Sequence, residues 1–186
     1  MTDNLRKVVH LSALLVPILT EVTSKSAVLM ALFLITIAYA LEEVLRLKGR
    51  RLPIITPFTL RMSRPEETAR FIIRPIYLAV GIILTLLLFP STIAYASICV
   101  MAVGDPVAAY VGGKIGRMRV RRKTVEGFIA GLVASFLLTS LIVSPFMALL
   151  GSVTGMLMEL LDSPDDNLTM PIAAGALMTF ATLFTR

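Results

Sequence analysis

The stretch that decides the fold is residues 71–111, FIIRPIYLAVGIILTLLLFPSTIAYASICVMAVGDPVAAYV. It contains two apolar runs, 71–89 and 92–111, separated only by Pro90 and Ser91. Proline cannot continue the preceding helix, so this pair predicts a tight turn between two antiparallel helices. Each run is close to the roughly 20 residues that a helix needs to cross a bilayer. We therefore expect two membrane-spanning helices here.

The same pattern extends along the rest of the chain. Hydrophobic residues make up 56% of the 186 residues and charged residues only 16%, against about 25% charged residues in soluble domains. The apolar runs are 8–22, 27–47, 71–89, 92–111, 125–143, 146–161 and 169–184. The sequence thus predicts an all-α, polytopic integral membrane protein with about seven transmembrane helices, in which residues 1–186 form one transmembrane domain.

The basic residues predict the orientation of these helices. If the amino terminus lies inside and all seven runs cross, sixteen of the 18 Lys and Arg residues fall in the inside regions, and only Lys25 and Arg186 fall outside. Short cytoplasmic loops carry such an excess of positive charge. We therefore expect a cytoplasmic amino terminus. The net charge of +6 then needs no nucleic-acid partner to explain it.

The longest connection, residues 52–70, is rich in Pro and Arg. It predicts a short interfacial helix from Pro65 onward, with Ser63 as its cap.

Asp105 is the most informative polar residue, because it lies inside an apolar run. A carboxylate at the centre of a membrane helix costs on the order of 2.5–3.5 kcal/mol and usually faces a partner or a polar cavity. Gly104 and Pro106 on either side are expected to break or bend the helix. Asp105 is then either half of a buried ion pair, or a snorkelling acid, or a ligand of a metal or substrate.

Further acidic residues are predicted on the same, inner face. Mg²⁺ prefers carboxylates, waters and substrate phosphates, so these side chains and Asp105 form a candidate metal site. A solvated turn with a helix N-cap is the alternative for the acidic loop. The candidate ligands are Asp105, Glu159, Asp165, Asp166 and Asn167.

Glycines and basic residues follow Asp105 on that face. Glycines let backbone N–H groups approach phosphate oxygens, and a helix amino terminus favours negative charge. Basic inside loops, however, need no phosphate to explain them. Phosphoryl transfer uses acidic side chains to bind a metal and basic side chains to bind phosphates, so the two groups together favour that reaction. The candidate phosphate-binding residues are Gly112, Gly113, Lys114, Arg117, Lys123 and Thr124.

Three blocks in this region resemble a known family. They read GDPVAAYVGGKIG at 104–116, KTVEG at 123–127 and DDNLTMP at 165–171. In this order they resemble the G-D-x-x-A-x-x-x-G, K-T-x-E-G and D-D-N-L-T-x-P blocks of the dolichol kinase, phytol kinase and CTP-dependent diacylglycerol kinase family. Arg6, Lys7 and His10 also resemble the start of that family's first helix. The resemblance covers residues 104–171.

The resemblance implies an integral membrane enzyme that transfers the γ-phosphate of CTP to a lipid alcohol with a divalent metal such as Mg²⁺. It implies catalytic roles for Asp105, Asp166 and Lys123, but it leaves open which carboxylate is the base. We expect Asp105 to be the base, because it lies deepest in the apolar run. It adds Glu126 to the CTP-binding residues named above and supports the five metal ligands. His10 either touches this site or caps a polar helix face.

We therefore expect a CTP-dependent kinase of a polyprenol or other isoprenoid alcohol, in the cell membrane with its active site facing the cytoplasm. Its short length suits a compact prokaryotic or archaeal member, and a homo-oligomer is compatible with the sequence. The enzymatic alternatives are a CTP-dependent diacylglycerol kinase and a CTP:lipid-phosphate cytidylyltransferase. The non-enzymatic alternative is a small membrane transporter.

Overall fold

The computed structural model describes residues 2–50, 55–62, 68–161 and 165–184, with all side chains except those of residues 2–5, 58 and 62. Most of these residues are helical, so the predicted helical class is confirmed. The helices are α1 (Thr2–Ser12), α2 (Leu15–Val22), α3 (Lys25–Leu47), α4 (Ile55–Met62), α5 (Arg74–Leu88), α6 (Ser91–Ile115), α7 (Val125–Thr139), α8 (Pro145–Leu160) and α9 (Asp166–Thr182).

The helices differ in length, and this bears on how many of them cross a bilayer. Within the described ranges, α3 and α6 are the two helices that are long and apolar enough to span a membrane. Helices α5, α7 and α8 are apolar but have only 15 or 16 residues. The first apolar run is divided, because Ala13 and Leu14 form a turn between α1 and α2. The prediction of seven full spans therefore stays a prediction.

Three local predictions were wrong or incomplete. The chain is not purely α-helical, since strands β1 (Arg119–Val120) and β2 (Lys123–Thr124) form a small antiparallel hairpin. Helix α6 runs unbroken through Gly104 and Pro106, so the predicted break is absent. The helix predicted from Pro65 onward begins in residues 63–67, which lie outside the described ranges, and residues 68–73 are not helical. The described part of that connection contains α4 instead.

Helix α6 lies at the centre of the bundle, and α3 lies at its edge. In the most apolar 18-residue window of each helix, 72% of the α6 window is buried but only 17% of the α3 window. Helix α7 packs closely on α6 through Gly131, where an added Cβ would lie 2.7 Å from the carbonyl oxygen of Gly104. Small residues allow this approach of two backbones. The same packing places Gly127, in the first turn of α7, against Ala108 and Gly112 on α6.

The end of α3 is tied to the segment that precedes α5 by a buried ion pair. Arg46 donates to both carboxylate oxygens of Glu43, at 2.7 and 2.8 Å, and to the carbonyl oxygens of Thr68 and Arg70. The second Glu43 oxygen also accepts from the backbone N–H of Ile72 at 2.7 Å. A buried charge is tolerated when it is paired and hydrogen-bonded in this way. The contact holds the end of α3 against the segment that precedes α5.

Candidate functional site

A polar cavity of about 770 Å³ opens at one end of the bundle. This volume lies within the range of about 300–1,000 Å³ that is typical of small-molecule sites. Neighbouring helices meet it with opposite ends: α5, α7 and α9 begin there, and α6 and α8 end there. The cavity lining includes the acidic residues Asp105, Glu159, Asp165 and Asp166 and the basic residues Arg6, Arg74, Arg119, Arg122 and Lys123.

Lys123 lies at the centre of three carboxylates from three different helices. Its Nζ is 2.5 Å from Oε1 of Glu159, 3.0 Å from Oδ2 of Asp166 and 3.7 Å from Oδ1 of Asp105. We call Asp105, Glu159 and Asp166 the carboxylate cluster. The Glu159 side chain is only 2% exposed, so this pairing takes place largely out of water. The sequence predicted all four as site residues, and the fold brings them together in one compact cluster.

The small hairpin holds Lys123 in this position. Arg121, in its turn, donates from a guanidinium nitrogen to the carbonyl oxygen of Leu161 at 2.7 Å, just after the end of α8. Arg121 has a φ of +55°, a left-handed conformation that is uncommon outside glycine. Thr124 then caps α7, because its hydroxyl accepts from the N–H of Gly127 at 3.1 Å. Lys123 is therefore fixed between two helix ends.

The pKa values of Lys123 and Asp166 are both raised, for different reasons. Burial alone would lower the pKa of Lys123, but the charges of Asp105, Glu159 and Asp166 outweigh burial and raise that pKa above its usual 10.5. Burial raises the pKa of the Asp166 carboxyl, and the Lys123 ammonium offsets part of this increase. An ammonium among carboxylates stays charged at neutral pH, so Lys123 is a permanent cation in the cavity.

His10 contacts the site, which decides between the two roles that the sequence left open. It is 7% exposed, and its Nδ1 lies 3.3 Å from Oδ2 of Asp105. Asp105 therefore faces Lys123 with one oxygen and His10 with the other. The structure shows the ion-pair alternative for Asp105, which also lines the cavity. Its role as a ligand of a metal or substrate stays a prediction.

The glycine-rich stretch is not a loop, and two of its glycines have a packing role. Residues 112–115 are the last turn of α6, and Gly112 and Gly116 face the Thr124 side chain. A Cβ at Gly116 would lie 2.6 Å from the Thr124 methyl group, and a Cβ at Gly112 would collide with the hydroxyl. Gly113 differs, since nothing lies within 4 Å of its added Cβ, although it lines the cavity. Of the glycines here, it leaves most room for a ligand.

Three predicted CTP-binding residues lie outside the described lining of the cavity. The Lys114 ammonium donates to the Tyr110 hydroxyl and lies 4.5 Å from the centre of that ring. Glu126 accepts from the backbone N–H groups of Arg117, at 3.0 Å, and Met118. Glu126 therefore holds the turn before the hairpin. The structure gives Lys114, Arg117 and Glu126 local contacts at the rim instead of a place in the cavity.

Asp165 has the capping role that was the alternative for the acidic loop. Its Oδ1 accepts from the backbone N–H of Asn167 at 3.0 Å, at the start of α9. Burial raises the pKa of its carboxyl. Asp165 also lines the cavity, so the residue that caps α9 belongs to the candidate site as well.

Two buried oxygens leave room for a cation. Oε2 of Glu159 and Oδ1 of Asn167 have no hydrogen-bond partner, and both residues line the cavity. Where the side chains are described, no three His, Cys, Asp or Glu residues are grouped as a complete metal site. Mg²⁺ commonly takes only one or two carboxylates and completes its shell with water and substrate phosphates. The residues present fit such a shared site.

The arginines of the cavity are residues that sequence reasoning missed as site residues. Arg6, Arg74, Arg119 and Arg122 come from α1, α5 and the hairpin region, and all line the cavity. Their positions in the sequence served to predict the orientation in the membrane, and Arg6 also entered the family resemblance of the first helix. No short motif connects them, because the fold brings them together from distant parts of the chain. The excess of basic charge on one side was the signal that could have found them.

Comparison with known proteins gives relatives but no activity. No protein-family profile matches the chain, and no solved structure matches it. The chain is 27% identical over 140 residues to an uncharacterized protein of Rickettsia prowazekii, covering 74% of this chain and 69% of that protein. It is 30% identical over 129 residues to an uncharacterized protein of Methanocaldococcus jannaschii, covering 64% of this chain and 63% of that protein.

Proposed function

We propose that this protein is a CTP-dependent lipid-alcohol kinase that works at the cytoplasmic surface of the membrane. The observation that carries the proposal is the Lys123 ammonium among the carboxylates of Asp105, Glu159 and Asp166, in a cavity that arginines also line. Acids and bases at one end of an apolar bundle suit a water-soluble nucleotide that meets a membrane-bound acceptor. The family resemblance of residues 104–171 supplies the choice of CTP and of an isoprenoid alcohol.

The proposal includes seven crossings with a cytoplasmic amino terminus. Its support is that α5 to α9 present alternating ends to the cavity, as antiparallel helices of a membrane bundle do. Sixteen of the 18 Lys and Arg residues fall on the cavity side in this arrangement. The bias is of the kind that orients membrane proteins. CTP then enters from the cytosol.

The proposed reaction is an in-line transfer of one phosphoryl group. The acceptor hydroxyl oxygen attacks the γ-phosphorus, the bond from that phosphorus to the β–γ bridging oxygen breaks, and CDP leaves. We assign the acceptance of the hydroxyl proton to the Asp105 carboxylate, which lies on the central helix with His10 beside it. The proton then leaves to water through the open cavity.

Catalysis in such a transfer comes mainly from positioning and from neutralisation of charge. Lys123 supplies a fixed cation beside the reacting groups. Arg119 and Arg122 precede it closely in sequence and line the cavity, so they are the proposed partners of the nucleotide phosphates. Arginine suits this role, because its planar guanidinium can donate two parallel hydrogen bonds to a phosphate.

A divalent cation fits beside these residues. Glu159 and Asn167 have unpartnered buried oxygens, and with Asp166 they are the residues that we propose hold Mg²⁺. When bound, Mg²⁺ would neutralise charge on the phosphate oxygens. Glu159 also holds Lys123, so one side chain positions both cations.

The experiment is a transfer assay with the purified protein in lipid nanodiscs. Mg²⁺, CTP or ATP with a γ-phosphate label, and a panel of isoprenoid alcohols and diacylglycerol are supplied. Labelled lipid phosphate together with CDP supports the kinase. Absence of labelled lipid with every acceptor would overturn it, and product from ATP alone would overturn the preference for CTP. Release of pyrophosphate from CTP would instead identify a cytidylyltransferase.

A further inference from the structure

A second, smaller cavity lies between α3 and α5 and adjoins the polar cavity. Its volume is about 110 Å³, and its lining is mainly apolar: Ile35, Thr36, Tyr39, Pro75, Ile76 and Ala79. Tyr39 and Pro75 line both cavities. We call this smaller cavity the α3–α5 groove. The two cavities therefore lie on either side of these two residues.

The direction of the groove follows from the two helices that form it. It extends from Tyr39 back to Ile35 on α3 and from Pro75 on to Ala79 on α5, which is about 6 Å along each helix axis. Both paths lead from the polar cavity into apolar helix. Ile35 at the far end is 64% exposed, on a helix whose apolar residues are mostly uncovered. In the proposed orientation, the groove lies between the polar cavity and the bilayer interior.

The polar atoms at the junction are already satisfied. The Tyr39 hydroxyl donates to the carbonyl oxygen of Ile72 at 2.9 Å, which holds the ring between the two cavities. The Thr36 hydroxyl donates to the carbonyl oxygen of Leu32 within α3 at 2.6 Å. Neither hydroxyl needs a polar ligand in the groove. The walls therefore suit a hydrocarbon chain.

We propose that the α3–α5 groove holds the first carbon atoms of the acceptor alcohol's hydrocarbon chain, with the hydroxyl directed into the polar cavity past Tyr39 and Pro75. The inference rests on the proposed function, because it requires an acceptor that is a membrane lipid. A volume of about 150 Å³ holds one benzene molecule, so a groove of about 110 Å³ holds only a few carbon atoms. The remainder of the chain lies in the bilayer beside α3. An acceptor of any length can thus use the same groove.

The test fills the groove with a tryptophan side chain, placed in one variant on α5 and in another on α3. Ala79→Trp places bulk on α5, and Ile35→Trp does so on α3 at an exposed position, where we expect the fold to be unaffected. Ala38→Trp is the matched control, since Ala38 is an exposed residue of α3 that does not line the groove. A farnesol-length alcohol that carries a photoreactive diazirine is incorporated in nanodiscs with each protein. The crosslinked residues are then mapped by mass spectrometry.

We expect crosslinks on residues 35–39 and 75–79 in the wild type and in Ala38→Trp, and a loss of about tenfold or more in both groove variants. Equal labelling of wild type and groove variants would overturn the proposal. So would equal labelling of the groove by a diazirine phospholipid, because the groove would then hold bulk lipid. If Ala79→Trp fails to fold, Ile35→Trp decides alone.

The kinetic measurement separates this proposal from the kinase proposal. In the groove variants, the KM for the lipid alcohol should rise about tenfold or more while the KM for CTP stays within about twofold. An unchanged KM for the alcohol would contradict the groove. If the wild type transfers no phosphate, the kinase proposal fails, and the crosslinking result still decides whether the groove binds the alcohol.

Discussion

The ammonium of Lys123 donates a hydrogen bond of 2.5 Å to Oε1 of Glu159, from the hairpin before α7 to the last turn of α8. The two residues are 36 positions apart in the chain. A charge-assisted hydrogen bond of this kind is stronger than a neutral one. It gives the candidate site its shape before any ligand binds.

Replacement of Lys123 by methionine should therefore damage both chemistry and stability. Three carboxylates would then face one another without their shared cation. We expect phosphate transfer to fall by about a hundredfold or more, as when a preorganised charge is removed from an active site. The midpoint of thermal unfolding should also decrease. Near wild-type transfer by Lys123→Met would remove Lys123 from the mechanism.

The contribution of Lys123 to stability should persist at alkaline pH. Its folded pKa lies above the usual 10.5, so the stabilisation is fully present below 10.5 and is lost only as the pH rises through the folded value. The difference in unfolding midpoint between the wild type and Lys123→Met should therefore stay constant from about pH 7 to about pH 10. A difference that shrinks within this range would contradict the raised pKa.

Asp105→Asn should separate folding from activity. Asparagine has almost the same shape, so the helix should remain packed, while the charge between His10 and Lys123 is lost. We expect transfer to fall by about a hundredfold or more with an unchanged elution profile in size-exclusion chromatography. Retained activity would exclude Asp105 as the proton acceptor.

Lys114→Met tests whether Lys114 binds a phosphate, as the motif predicts, or only pairs with Tyr110, as the structure shows. The motif predicts a phosphate contact, whereas the structure pairs Lys114 with Tyr110 outside the described cavity lining. We expect the KM for CTP to change by less than about threefold, against a much larger effect of Arg122→Met within the cavity. A rise in KM for Lys114→Met as large as that for Arg122→Met would restore the motif-based assignment.

Gly131→Leu should force α6 and α7 apart. An added Cβ already lies 2.6 Å from the Met156 methyl group and 2.7 Å from the Gly104 carbonyl oxygen. Overpacking of this kind typically costs about 1–3 kcal/mol, which a lower midpoint of thermal unfolding would report. Val133→Leu, at a half-exposed position two residues on, is the control and should leave the midpoint unchanged.

The sequence was most informative where apolar runs and polar residues follow one another along the chain. The run at 92–111 predicted α6, and the blocks around Asp105, Lys123 and Asp166 predicted residues that the fold brings into one cavity. Periodicity and spacing act locally, so they are readable from one sequence. Helix ends were less certain for the same reason. The apolar run ended at residue 111, yet α6 continues to Ile115, with Gly112 packed on Thr124.

Contacts between distant residues could not be predicted in this way. Nothing in the sequence pairs Arg121 with the carbonyl oxygen of Leu161, or Arg46 with the carbonyl oxygens of Thr68 and Arg70. These contacts depend on how helices are arranged in space. The same holds for the cavity arginines, and for Glu126, whose motif position gave no sign that it would hold the turn at Arg117.

The unequal helix lengths have a consequence for the lipids around the protein. Helix α3, with 23 residues, is about 35 Å long, whereas α5 and α7, with 15 residues each, are about 23 Å long. In the proposed arrangement of seven crossings, a bilayer core of about 30 Å would be too thick for α5 and α7 and slightly too thin for α3. Tilting of α3 and local compression of the lipids would reconcile them. In that arrangement, the acyl-chain length of the surrounding lipids would influence the tilt of α3.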